Sequence, residues 1–184
     1  MDVEDAQRDV RTVFVGGFWG QCVSATIWLA SAALGTWDTP RAAILTLVFG
    51  GFFIFPVTTL LLRLTGGRAY LTSGNPLGYL GMQVAFTLPL SMPLLIPVAT
   101  FRLNWFYPAL LVLLGAHYLP FVFMYGMRMF AFLCAILVGS GIAIAHWFPE
   151  PFSLGGWVGG VTLLVFAWIG RAVVRAEARG KARL

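Results

Sequence analysis

The sequence predicts an all-α, six-helix transmembrane bundle with both termini cytoplasmic, and three observations predict it. The 184 residues are 59% hydrophobic and only 10% charged, against about 25% charge in a soluble domain, and mean hydropathy is +0.85. Six uncharged apolar stretches each have about the length an α-helix needs to cross a bilayer. Finally, the Lys and Arg residues between them fall largely on one side. These stretches make residues 1–184 a single integral membrane domain.

The first span, residues 13–34, follows a segment, Met1 to Thr12, that is both acidic and basic. The span is long and lacks a small-residue cleavage site, so the pair reads as a retained membrane anchor. The second span, 42–62, opens on Thr39-Pro40, a capping residue followed by proline at the first helical position, and Pro56 predicts a kink within it. The third, 77–100, opens on the same device at Asn75-Pro76. It carries Pro89, Pro93 and Pro97 at four-residue spacing. Each proline removes a backbone hydrogen bond and crowds the carbonyl four residues earlier, so the outer half should kink or unwind and could act as a hinge. The fourth span, 106–125, places His117, Phe121, Met124 and Arg128 on one helical face and carries a kink at Pro120. The fifth, 129–148, leads through the hairpin Pro149-Glu150-Pro151 to the sixth, 154–170. A basic cytoplasmic tail, 171–184, follows, whose charges fix topology and attract anionic lipid at about 1 kcal/mol per base.

With six spans, one side of the membrane holds Arg8, Arg11, Arg63, Arg68, Arg128, Arg171, Arg175, Arg179, Lys181 and Arg183, ten of the twelve bases; Arg41 and Arg102 lie opposite. The positive-inside rule makes the richer side cytoplasmic. Trp37, Trp105, Trp147 and Trp157 then form an aromatic belt at the outer interface. The loop from Arg63 to Gly78 lacks the Gly-Lys-Ser/Thr ending of a phosphate-binding loop and reads as a flexible connector.

All seven carboxylates, Asp2, Glu4, Asp5, Asp9, Asp38, Glu150 and Glu177, lie outside the spans. A buried acid is the common mark of proton coupling, metal ligation or acid/base catalysis within a membrane, and none is present. His117 and His146 differ by ~12 Å in depth, too far to share one metal. The sequence therefore implies no metal, no cofactor and no nucleic-acid partner, and Cys22 and Cys134 read as small buried apolar residues.

What remains inside is neutral. Counted at ~1.5 Å per residue from the cytoplasmic helix ends, Gln83 lies near ~10 Å, Gln21 and Thr162 near ~12 Å, His117 near ~15 Å and Ser24 near ~17 Å. They predict a polar layer in the cytoplasmic half, either a small ligand site with His117 as its one titratable group or a set of interhelical hydrogen bonds. Gly16 with Gly20, Gly155 with Gly159 and Gly156 with Gly160 mark close packing faces, within the chain or between copies of a homo-oligomer.

The segments Ala6-Gln7-Arg8-Asp9, Ala42 to Gly51, Ser73 to Gly78 and Gly115 to Arg128 resemble those of a family of small bacterial multi-pass membrane proteins catalogued as a domain of unknown function. The resemblance covers nearly the whole chain. It implies a six-helix protein of the bacterial inner membrane and brings no activity, substrate or catalytic residue. The preferred expectation is a transporter-like or ligand-binding bundle for an apolar or weakly polar solute, with a small amphiphile or lipid as its ligand. The alternative is a non-catalytic accessory subunit docking through the glycine faces. An intramembrane enzyme built from Ser24, Cys22, Tyr118 and His117 comes third, since no local motif joins them.

Overall fold

Amphipathic spacing at the start of the chain creates an element that hydropathy alone does not separate. The computed structural model describes residues 1–148 and 150–181. Its first helix, α1 (Val3–Val13), is capped by the Asp2 carboxylate, which accepts from the Asp5 N–H at 2.8 Å, and buries Ala6, Val10 and Val13 on one face. Helix α2 (Phe18–Trp37) leaves it at 61°. The joint is three left-handed residues, Val15, Gly16 and Gly17, with φ of 52°, 64° and 83°. Glycine takes this conformation freely and valine does so at a cost. Gly16 is required twice over, because a Cβ there would stand 2.6 Å from the Gly170 carbonyl oxygen. The segment before the first span is thus a separate helix lying against the bundle.

The second span is also two helices. Thr39 accepts from the Ala42 N–H and Pro40 takes the first position of α3 (Pro40–Gly51), as the sequence predicts. After Gly50-Gly51 the chain turns by 56° into α4 (Ile54–Leu64). Pro56 falls in the first turn of α4, where no helical hydrogen bond is lost, so it starts a new helix rather than kinking a continuous one.

In the third span α5 (Leu77–Ser91) contains Pro89, tightens to a 3-10 turn at Met92–Leu94 around Pro93, and continues as α6 (Leu95–Phe101) with Pro97 in its first turn. The stretch Leu77–Phe101 still qualifies as one span and is not among those bent by more than 40°. The fourth span divides at Pro120 into α7 (Phe106–Tyr118) and α8 (Phe121–Tyr125), which closes on left-handed Gly126. Helix α9 spans Met129–Trp147, and α10 runs unbroken over Leu154–Lys181, so the basic tail continues the last span as one helix. The hairpin before it includes Pro149, and the tail includes residues 182–184; these lie outside the described residues.

By length and composition four stretches qualify as membrane crossings: Leu77–Phe101, Leu103–Tyr125, Met129–Trp147 and Leu154–Gly180. Six qualify if each bent pair counts as one. The most extensive packing is of α10 on α2 and of α9 on α7. Glycines make both contacts close. A Cβ at Gly156 would meet Ala32 at 2.9 Å, at Gly159 Trp28 at 2.4 Å, and at Gly160 Leu29 at 2.6 Å. Gly115 and Gly141 lie equally close to Val138 and Pro108 across the α7–α9 contact. The glycine pairs read from the sequence in the last span are therefore used within the chain. Helices α4, α5 and α6 sit at the periphery and present large apolar side chains outward, among them Phe55, Leu60, Phe86 and Leu90.

Candidate functional site

The neutral polar residues of the spans differ in burial, and among the described residues no hydrogen bond joins any two of Gln21, Ser24, Gln83, His117 and Thr162. Gln83 on α5 is exposed, while Thr162 on α10 is half-buried and Ser24 on α2 is buried. His117 on α7 meets the third span through Thr87, one turn beyond Gln83, with Nδ1 3.0 Å from the hydroxyl. Thr87 donates to the Val84 carbonyl at 2.7 Å. The ring packs 5.3 Å from that of Phe121.

Gln21 differs from all of these. It is 2% exposed, and neither its Nε2 nor its Oε1 has a hydrogen-bond partner among the described residues. Its amide stands beside Gly17 and the Phe130 ring tip, within 3.1 Å and 3.4 Å of where a Gly17 Cβ would lie. On the same first turn of α2, Gly20 faces Thr58 of α4, whose hydroxyl is also buried without a partner. An unpaired buried amide or hydroxyl costs about 1–3 kcal/mol. Near the start of α2 there are thus two buried neutral polar groups, the Gln21 amide on the Phe130 side and the Thr58 hydroxyl on the α4 side. Thr58 escapes a reading by composition because hydroxyls on helices ordinarily satisfy themselves on a preceding carbonyl, as Thr59 does on Phe55 at 2.9 Å.

A second polar assembly joins segments far apart in sequence. The Asp9 carboxylate receives Arg68 at 3.0 Å, the Thr72 N–H at 2.8 Å, the Thr72 hydroxyl at 2.9 Å and the Asn75 amide at 3.1 Å. Asn75 also donates to the Ala6 carbonyl and caps the Leu77 N–H through Oδ1. Gln7 donates to the Phe123 carbonyl at 2.6 Å, and Arg11 bonds both the Tyr125 carbonyl and Glu177. Helix α1 thereby clasps the start of α5, the end of α8 and the extension of α10. Burial alone would raise the Asp9 pKa, yet the Thr72 N–H, the Asn75 amide, the Thr72 hydroxyl and Arg68 together hold it below the usual carboxylate value. The loop expected as a flexible connector is thus anchored at Arg68, Thr72 and Asn75.

At the opposite end the ties are uncharged. Tyr107 donates to Ser31 at 2.5 Å, and Ser31 donates to the Ala43 carbonyl at 2.7 Å. Thr36 lies 2.8 Å from the Ser153 hydroxyl and accepts from the Trp157 indole at 3.1 Å. An apolar, open-sided cleft of about 340 Å³ lies between α6, α7 and α9, bordered by Trp105 and His146. Among the described residues no three or more His, Cys, Asp or Glu side chains group as metal ligands, and both cysteines are free.

Long apolar helices, close glycine packing and a polar clasp across their ends define a helical membrane protein. The chain belongs to the family of unknown function DUF7010, whose family model matches residues 3–172. No curated protein and no solved structure matches it significantly. Three of the segments that carry the resemblance noted in the sequence meet at the clasp: Ala6 to Asp9, Asn75 of Ser73 to Gly78, and Phe123 to Gly126.

Proposed function

We propose that the protein is a transporter-like or ligand-binding bundle of the bacterial inner membrane, crossing six times with both termini cytoplasmic, and that Gln21 contacts a small amphiphile or lipid. The observation that carries this reading is the Gln21 amide, buried to 2% exposure with both polar atoms unpartnered. In hydrocarbon such a group is costly, and a ligand hydroxyl, ester or carbonyl would satisfy it. Thr58 on α4, beside the neighbouring Gly20, carries a second buried and unpartnered hydroxyl, and Ser24 lies one turn further along α2. The orientation rests on the excess of bases, and it is supported by the clasp, which ties α1, the 65–76 loop, the end of α8 and the α10 extension to one end of the bundle. The glycine pairs through which an accessory subunit would dock are engaged within the chain, which favours the binding reading.

Mass spectrometry of gently extracted protein tests it. The expected result is a near-stoichiometric amphiphile that is lost from Gln21→Ala and weakened in Thr58→Val. Protein with nothing bound, together with unaltered growth and stability in both variants, removes the reading.

A further inference from the structure

The clearest charged surface outside these sites is on the last helix. Arg171, Arg175 and Arg179 recur every four residues on one face of α10 and border, with Trp168, Ala172 and Ala176, a shallow groove of about 250 Å³. Four-residue spacing places the three guanidiniums along ~12 Å of helix, with alanines as the floor between them. The first is held in place: the Arg171 guanidinium carbon sits 4.4 Å from the Phe18 ring centroid and 5.3 Å from that of Trp168. Those two rings meet edge to face at 5.1 Å. Glu177 is on the other face of the helix, engaged by Arg11. Among the described residues Arg175 and Arg179 have no carboxylate partner within 4.0 Å, and both are exposed.

Below the arginines the same face becomes apolar. Trp168, Val165 and Val161 follow at helical spacing and are 54%, 50% and 52% exposed. One helix face thus carries an apolar track, Val161 to Trp168, followed by three guanidiniums. A membrane anion has the matching profile, with acyl chains below and a phosphate above. Guanidinium binds phosphate oxygens with two parallel hydrogen bonds, and the cation–π stack on Arg171 lowers the cost of ordering it.

We infer that Arg171, Arg175 and Arg179 form a headgroup site for an anionic phospholipid of the adjoining leaflet, with its acyl chain lying along Trp168 and Val165. Free phosphate shares the headgroup chemistry but lacks the apolar half. The site is independent of Gln21.

Native mass spectrometry of the full chain in neutral detergent, titrated with phosphatidylglycerol or phosphatidylcholine, tests it. Wild-type protein should retain phosphatidylglycerol in preference. Arg175→Ala and Arg179→Ala should each weaken that retention about fivefold, and the pair about 25-fold, as expected for bases near an anionic surface. Both residues are solvent-facing, so the fold survives their loss, and helicity by circular dichroism checks this. Val165→Ser, on the apolar track and away from the arginines, should weaken phosphatidylglycerol binding and leave phosphate binding unchanged. Equal retention of the two lipids, no effect of the double variant, or displacement of phosphatidylglycerol by millimolar inorganic phosphate would each overturn the inference.

Discussion

The two ends of the bundle are held by different chemistry. At one end α1 reaches across three other segments with charged and amide groups centred on Asp9 and Asn75. At the other, Ser31, Thr36, Tyr107, Ser153 and Trp157 knit α2, α3, α7 and α10 with hydroxyls and an indole. The charged end ties elements that are far apart in sequence and only weakly packed, α5 above all. The neutral end reinforces helices that already touch through glycine and aromatic contacts. Polar bonding therefore substitutes for packing at the first end and supplements it at the second, and this sets how each should respond to perturbation.

The largest effect is expected at the charged end. Asn75→Ala removes a helix cap and two long-range bonds, and leaves a mostly buried Asp9 with fewer donors. It should cost about 2–4 kcal/mol, read from the denaturant midpoint in detergent. A loss within the error of the wild-type midpoint would mean that packing alone positions α1. Between the ends, Gly159→Ala drives a Cβ to 2.4 Å from buried Trp28 and should cost about 1–3 kcal/mol, whereas Gly139→Ala, with open space around it, should change stability by less than about 0.5 kcal/mol.

At the neutral end Tyr107→Phe removes one hydroxyl contact while Ser31 keeps its bond to Ala43. A loss of about 0.6–1.7 kcal/mol is expected.

The smallest effects distinguish the ends by pH. The Asp9 pKa is depressed, so its contribution is fully present at neutral pH and disappears as pH falls through the ordinary carboxylate range towards the lowered value. An acid titration of the unfolding midpoint should show a slope that flattens in Asp9→Asn and is retained in Tyr107→Phe. Equal slopes in all three proteins would contradict the assignment of the clasp to Asp9.

These contrasts also show what the sequence can and cannot convey. Hydropathy located the apolar stretches because their length and lack of charge are local properties. The starts of α3 and α5 were legible for the same reason: Thr39 and Asn75 cap N–H groups two or three residues away. The bends were harder. Gly50-Gly51 breaks the second span, yet glycine is common inside continuous membrane helices. Pro56, the more conspicuous signal, merely opens the following helix. Counting depth along a helix placed Gln21, Gln83 and His117 at similar levels but said nothing of direction, so exposed Gln83 and unpartnered Gln21 looked alike. The clasp was hidden most completely, since Asp9 meets residues about sixty positions away and Arg11 meets Glu177.

Just inside the clasp, Gln21 is the group on which the functional account turns, and Gln21→Leu tests it most directly because leucine keeps the bulk and removes the amide. Thermal unfolding and bound-ligand mass spectrometry are measured together on gently extracted protein. If Gln21 holds a ligand, the variant loses the bound amphiphile and becomes no more stable. If the amide is merely an unsatisfied group in the core, the variant gains about 1–3 kcal/mol with nothing lost from the spectrum, and the binding account is contradicted.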